Sequence, residues 1–117
     1  NKNVVNALNN YFEFVRGKKI AFSSKDFRTY FSNKNFSKND FVYLDPPYLI
    51  TASEYNKLWD EQAEADLLNT IDGLNKKGIK FALSNVTHYN GSKNNQLNNW
   101  MKKYKKVANC EAIPNLR

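Results

Sequence analysis

The sequence predicts an α/β domain built on a largely parallel sheet. Three observations carry that expectation. Apolar runs at 18–22 (KKIAF), 39–44 (NDFVYL) and 79–83 (IKFAL) alternate with stretches whose apolar residues recur at helical spacing. The middle run is barely interrupted, the pattern of a strand covered on both faces. The length of 117 residues, 41% of them hydrophobic and 15% aromatic, suits one packed domain and is short for two.

Each element has its own justification. Val4, Leu8, Tyr11, Phe12 and Val15 share one side of an opening helix that Gly17 ends. The run 18–22 is the first expected strand, and SSKDFRTYF (23–31) is a turn entering a short helix. The second strand, 39–44, leads into a loop from about Leu49 to Leu58. Trp59 to Lys77 is the clearest helix, with Trp59, Ala63, Leu67, Ile71 and Leu74 on one face. Asp60, Glu61 and Glu64 suit its positive end, Lys76 and Lys77 its negative end, and Gly78 closes it. The third strand, 79–83, is followed by SNVTHYNGS (84–92) as a loop. Ser92 is the expected cap of a last helix carrying Leu97, Trp100, Met101 and Tyr104, and KKVANCEAI (105–113) is a candidate final strand.

Lys and Arg number 18 against 11 Asp and Glu, a net charge of +7, so a polyanionic partner is expected, nucleic acid first. Charge alone does not separate DNA from RNA or an acidic membrane. The only cysteine, Cys110, excludes an intrachain disulfide framework and a multi-cysteine zinc site, and suits a reducing, cytoplasmic setting. No apolar run approaches the roughly 20 residues of a membrane span, and no signal peptide is visible.

In α/β sheets ligands bind beyond the carboxyl ends of the strands, here Ser23 to Phe27, Asp45 to Tyr48 and Ser84 to His88. The second segment is unusual, because Pro46 and Pro47 end the strand with a rigid corner between a carboxylate and an aromatic ring. That corner suits a specific chemistry. An exocyclic amine on a nucleobase is a poor nucleophile, since its lone pair is delocalised into the ring. Two acceptors holding its hydrogens favour a pyramidal nitrogen with the lone pair aimed outward. Asp45 supplies one acceptor and the Pro46 carbonyl the other, while Pro47 biases Pro46 toward an extended conformation. Tyr48 offers a face on which a base removed from a duplex stacks.

DPPY after an apolar strand resembles the catalytic motif of S-adenosylmethionine-dependent amino-methyltransferases. The succession KIAFSSKDF, DFVYLDPPY, a helix with Trp59 and Leu67, then GIKFALSN is similar to the Dam-like (D12 class) DNA adenine-N6 methyltransferases, some of which belong to restriction–modification systems. The likeness runs from about Lys18 to Asn85. It implies a partial Rossmann-like methyltransferase fold, S-adenosylmethionine as methyl donor, double-stranded DNA as substrate, and no metal. Carried over by position, Asp45 and Pro46 hold the target amine and Tyr48 stacks on the adenine, with Pro47 completing the catalytic motif. Asp26 accepts from the cofactor's adenine amine, Phe27 packs beside that ring, and Ser84 and Asn85 shape the pocket.

One departure bears on domain organisation. The family's F-x-G-x-G cofactor loop has no counterpart among the glycines at 17, 73, 78 and 91, and there is no room for a target-recognition domain. The resemblance therefore implies that 1–117 is the C-terminal part of a catalytic domain, inactive alone. Its 18–22 strand then lacks the neighbour supplied by an N-terminal half, leaving an edge exposed to that half or to a second copy.

Plainer readings stand beside these. The corner doubles as a strand-ending turn, Asp26 as a helix cap, and Ser84 and Asn85 as turn residues. Tyr55 is a packing tyrosine or a ring closing over a flipped base. His88 lacks a carboxylate partner, Trp59 and Trp100 are core residues, and Lys102, Lys103, Lys105 and Lys106 form a solvated face or touch phosphate. The expected function is methyl transfer to N6 of a flipped adenine. An RNA amino-methyltransferase and a non-catalytic nucleic-acid-binding or subunit module are the alternatives.

Overall fold

The computed structural model describes residues 1–104; the strand expected at 105–113, and with it Lys105, Lys106 and Cys110, lies outside the described residues. Helix α1 (Lys2–Val15) is capped by Asn1, whose Oδ1 accepts from the Asn3 amide at 2.9 Å, and Gly17 follows it at a φ of 77°. Its apolar side packs against no other described element, leaving Val4, Leu8 and Phe12 exposed. The radius of gyration is accordingly 17.2 Å, against about 13 Å for a compact chain of about 100 residues.

The expected strand at 18–22 does not form; Ile20 and Phe22 are exposed, and no described strand lies beside them. A strand exists only through its backbone partners, so an apolar run without a neighbour stays irregular. Helix α2 (Phe27–Asn33) follows, capped by Asp26.

The centre is a crossover unit: strand β1 (Phe41–Leu44), helix α3 (Glu61–Lys76) and strand β2 (Lys80–Leu83). Asp60 starts α3, its Oδ1 accepting from the Ala63 amide at 2.8 Å, and Gly78, at a φ of 73°, releases the chain into β2. The strands pair in parallel, with Val42 opposite Phe81 and Leu44 opposite Leu83. Val42, Leu44, Leu67, Ile71, Leu74 and Ile79 form the core, flanked by Phe27, Phe31, Phe36, Trp59 and Trp100. Burial alternates along β1, correcting the expectation of two covered faces: Phe41 and Tyr43 remain 63% and 65% exposed. Helices α2 and α4 pack on α3 rather than on that second face.

The stretch expected as a loop contains a hairpin, β3 (His88–Tyr89) paired antiparallel with β4 (Ser92–Lys93). Asn90 and Gly91, both at positive φ, make its two-residue turn, a signature of Asn-Gly. Ser92 is therefore in a strand, and Asn94 caps α4 (Asn95–Met101), its Oδ1 accepting from the Leu97 amide at 3.0 Å.

Asp72 on α3 holds the end of α4. Its Oδ1 accepts from Trp100 Nε1 at 2.9 Å and from the Tyr104 hydroxyl at 2.7 Å, and its Oδ2 from Lys103 Nζ at 3.0 Å. Lys103 is thus paired rather than free for phosphate. Burial pushes the Asp72 carboxyl up, but the bonds from Tyr104, Lys103 and Trp100 outweigh it and hold it below the ordinary value. A depressed carboxylate contributes stability above its unfolded-state value and loses it as pH falls through the folded-state value. Thermal unfolding followed from pH 7 downward should show stability falling below about pH 4. Asp72→Asn should flatten part of that fall; an unchanged acid slope would mean that the clamp does not form in solution.

Among the described residues, no helix is long and apolar enough to cross a membrane.

Candidate active site

Asp45 and Ser84 each follow the last residue of a parallel strand, and the register places those last residues, Leu44 and Leu83, side by side. The Ser84 amide donates to the Leu44 carbonyl at 2.9 Å, extending the pairing one step beyond the strands. Asp45 and Ser84 are therefore neighbours at the carboxyl edge of the sheet, where α/β folds bind ligands. Tyr48 joins them. Its hydroxyl donates to Asp45 Oδ1 at 3.2 Å and lies 2.9 Å from Ser84 Oγ.

The Pro-Pro corner turns the chain from β1 into a loop that is fastened to itself. The Tyr48 carbonyl accepts from the Thr51 amide at 3.1 Å and from Thr51 Oγ1 at 3.0 Å. Asn56 Nδ2 reaches back to the carbonyls of Tyr48 and Thr51 and to Thr51 Oγ1. Between corner and loop lies a cleft of about 360 Å³, lined by Asp45 to Tyr48 and by Thr51, Ser53, Tyr55 and Asn56. A larger recess, about 430 Å³, is bordered by Leu49, Ile50, Glu61 and the turn from Lys93 to Gln96. It has a carboxylate but no ring for a base to stack on, so chemistry selects the smaller cleft.

The other expected site residues lie apart from this cluster or do different work. Tyr55, in a single 3-10 turn over Glu54–Asn56, is 86% exposed at the cleft's rim, so it is not the packing tyrosine of the first alternative. Asp26 does cap α2: its Oδ1 accepts from the Arg28 amide at 2.8 Å, and its Oδ2 pairs with the Arg28 guanidinium at 3.2 Å. Arg28 also meets Asp66 of α3 at 2.7 Å, tying the two helices together. That guanidinium, then Gln62, hold the Asp66 carboxyl below its usual range. Phe27 packs on Trp59, ring centroids 5.6 Å apart. No hydrogen bond among the described residues joins Asp26 to the Asp45 corner. Asn85 points away from the cleft, donating to Glu64 Oε1 at 3.0 Å.

Glu64 itself was missed. The sequence places it among acids favoured near a helix N-terminus, yet it is fully buried. Its spacing held the signal: it sits between Ala63 and Leu67 on the apolar side of α3. Thr51 and Asn56 were missed as well, because short-range hydrogen bonding of a loop to its own carbonyls leaves no periodic trace.

Over residues 1–115 the sequence matches the model of the family described as D12 class N6 adenine-specific DNA methyltransferase. The chain belongs to that family. It is 41% identical over 105 residues to the modification methylase StsI of Streptococcus sanguinis, covering 85% of this chain and 16% of that protein. To the type II methyltransferase M.FokI of Planomicrobium okeanokoites it is 41% identical over 100 residues, 80% of this chain and 15% of the relative. The modification methylase LlaI of Lactococcus lactis subsp. lactis is 39% identical over 80 residues, 61% of this chain and 13% of the relative. The chain thus spans about a sixth of the length of the first of these relatives. The family is one of methyltransferases, which implies a methyl donor of the S-adenosylmethionine type.

Proposed function

We propose that these residues form the target-base wall, and part of the cofactor wall, of a restriction–modification enzyme. It methylates N6 of an adenine flipped out of double-stranded DNA, in the cytoplasm, using S-adenosylmethionine. One observation carries the reading: Asp45, Tyr48 and Ser84 converge at the carboxyl edge of paired parallel strands, in a chain of the D12 family. The Asp45 carboxylate and the Pro46 carbonyl accept the two hydrogens of N6 and turn its lone pair outward. The Tyr48 ring carries the base, and Tyr55 is placed to close over it. The hydrogen bond from Tyr48 to Asp45, with Ser84 behind it, limits the rotamers open to the carboxylate before the base arrives. On the other side, Asp26 keeps 54% of its side chain exposed beside the Phe27 ring, an acceptor and a flat wall that fit an adenine ring carrying an amine. Bound there, S-adenosylmethionine supplies an electrophilic methyl group on a sulfonium. Asp45 and Pro46 would hold N6 with its lone pair toward that methyl group, sulfur would leave with the bonding electrons, and the methylated nitrogen would give up its proton to solvent. Positioning accounts for the rate enhancement in this scheme, without a covalent enzyme intermediate.

The remaining cofactor pocket, including a glycine-rich loop, and the target-recognition domain belong in this proposal to a longer polypeptide, and the isolated chain is inactive. The outer edges of the β1–β2 pair, unpaired among the described residues, are where further strands or a second copy add. The test is transfer of labelled methyl from S-adenosylmethionine by the full-length polypeptide to duplex DNA and to RNA, followed by nucleoside analysis. N6-methyladenine in DNA is the expected product; label in RNA alone, or in cytosine, overturns the reading.

Tyr48 separates ring from hydroxyl. Tyr48→Phe keeps the stacking face and gives up a hydrogen bond to the Asp45 carboxylate and one with Ser84. Both exist before the base arrives and neither touches the transferring atoms, so transfer should stay within about tenfold of wild type, a loss of about 1.4 kcal/mol. Tyr48→Ala should lose more, since a stacked base is held by about 1–3 kcal/mol. Equal damage from both would assign the chemistry to the phenol oxygen.

A further inference from the structure

The described part of α3 presents two inward carboxylates, and they differ in what they reach. Glu64 is fully buried, and no lysine, arginine or histidine among the described residues pairs with it. It is satisfied by three N–H donors. Oε2 accepts from Trp59 Nε1 at 2.7 Å, and Oε1 accepts from Asn85 Nδ2 at 3.0 Å and from Asn94 Nδ2 at 3.1 Å. The donors come from three separate stretches of chain: the approach to α3, the end of β2 and the start of α4. Trp59 packs on Phe27, the ring assigned to the cofactor side. Asn85 follows Ser84, whose hydroxyl meets the Tyr48 phenol on the base side, and its own Oδ1 accepts from the Val86 amide at 2.8 Å. Asn94 closes the hairpin, its amide donating to the Thr87 carbonyl at 2.9 Å, and starts α4.

We propose that Glu64 is a positioning residue, a single carboxylate that fixes the cofactor-side wall and the base-side wall of the active site relative to each other. The proposal rests on the methyltransferase reading above. In-line transfer requires the methyl carbon and N6 to be aligned, and those two partners are held by segments separate in sequence. A neighbour of each segment hydrogen-bonds to a different oxygen of Glu64: Trp59, packed on Phe27, to Oε2, and Asn85, next to the Ser84 that meets Tyr48, to Oε1. A glutamine here has only one acceptor oxygen, so its amide group must face either the indole N–H or the two asparagine N–H groups, donor against donor. An isosteric change therefore releases one wall while leaving the volume unchanged. Asp72 provides the comparison. It too accepts an indole N–H, from Trp100, but it joins α3 to the end of α4 and reaches neither wall.

The experiment compares Glu64→Gln with Asp72→Asn in the full-length polypeptide, at a temperature where each is as folded as wild type. Single-turnover methyl transfer should fall about a hundredfold in Glu64→Gln, the scale expected for a small misplacement of reacting groups, and stay near wild type in Asp72→Asn. Exchange of the Ser84 and Val86 amides should quicken in Glu64→Gln alone. Equal losses of rate in the two variants, or exchange that quickens equally in both, would reduce Glu64 to a stabilising contact and overturn the proposal. If wild type transfers no methyl group, the functional reading fails while amide exchange still decides whether Glu64 holds the base-side wall. Should Glu64→Gln not fold, Trp59→Phe removes only the indole donor and should lower the rate about tenfold, as the loss of one hydrogen bond to a charged group would. An unchanged rate in that variant counts against the proposal.

Discussion

Asp45→Ala should abolish methyl transfer by the full-length polypeptide while leaving S-adenosylmethionine binding largely intact. The carboxylate stands at the end of β1, beside Ser84, with one oxygen engaged by the Tyr48 hydroxyl at 3.2 Å. In the proposed scheme it accepts one hydrogen of N6, and the Pro46 carbonyl alone then fails to orient the lone pair. Removing a group that acts on the transition state lowers kcat and kcat/KM together. Asp45→Asn keeps an acceptor oxygen and should lose less than Asp45→Ala. Retention by Asp45→Ala of more than about a tenth of the wild-type rate, a loss below about 1.4 kcal/mol, would remove the carboxylate from the chemistry.

The largest expected effect on stability is at Ile71. Its side chain is fully buried in the cluster formed by Val42, Leu44, Leu67, Leu74 and Ile79, where α3 meets the sheet. Ile71→Ala removes methyl and methylene groups from a site whose neighbours, held by a helix and two strands, collapse only partly. The cost should be about 2–5 kcal/mol, a large share of the roughly 5–15 kcal/mol that a domain commands. Leu58, which is 96% exposed, is the control, and Leu58→Ala should change stability by no more than about 0.5 kcal/mol. Urea unfolding of the two variants decides; similar midpoints would place the core elsewhere.

The helices and the two paired strands were legible because their signals are local. Val4, Leu8, Tyr11 and Phe12 recur at helical spacing, and α1 forms there without a tertiary partner among the described residues. Trp59, Ala63, Leu67, Ile71 and Leu74 recur likewise, and α3 buries most of that face. The DPPY corner was legible for a different reason: two prolines restrict the backbone wherever they occur, so the carboxylate and ring are set at the end of β1 by covalent geometry.

By itself, then, the sequence determined β1, α3 and β2 to within about two residues, the proline corner that ends β1, and the family. Tertiary structure alone decided the rest, because each remaining feature depends on groups far apart in the chain. KKIAF has the composition of a strand, but no neighbour among the described residues completes it. Phe41 and Tyr43 look as apolar as Val42 and Leu44, yet among the described residues only one face of β1 meets a helix. Tyr48 and Ser84 are 36 residues apart and come together only through the parallel register of β1 and β2. Glu64 suits the positive end of α3 by sequence, but only the fold buries it and brings Trp59, Asn85 and Asn94 to donate to it, since a buried carboxylate is tolerated only where its partners are delivered.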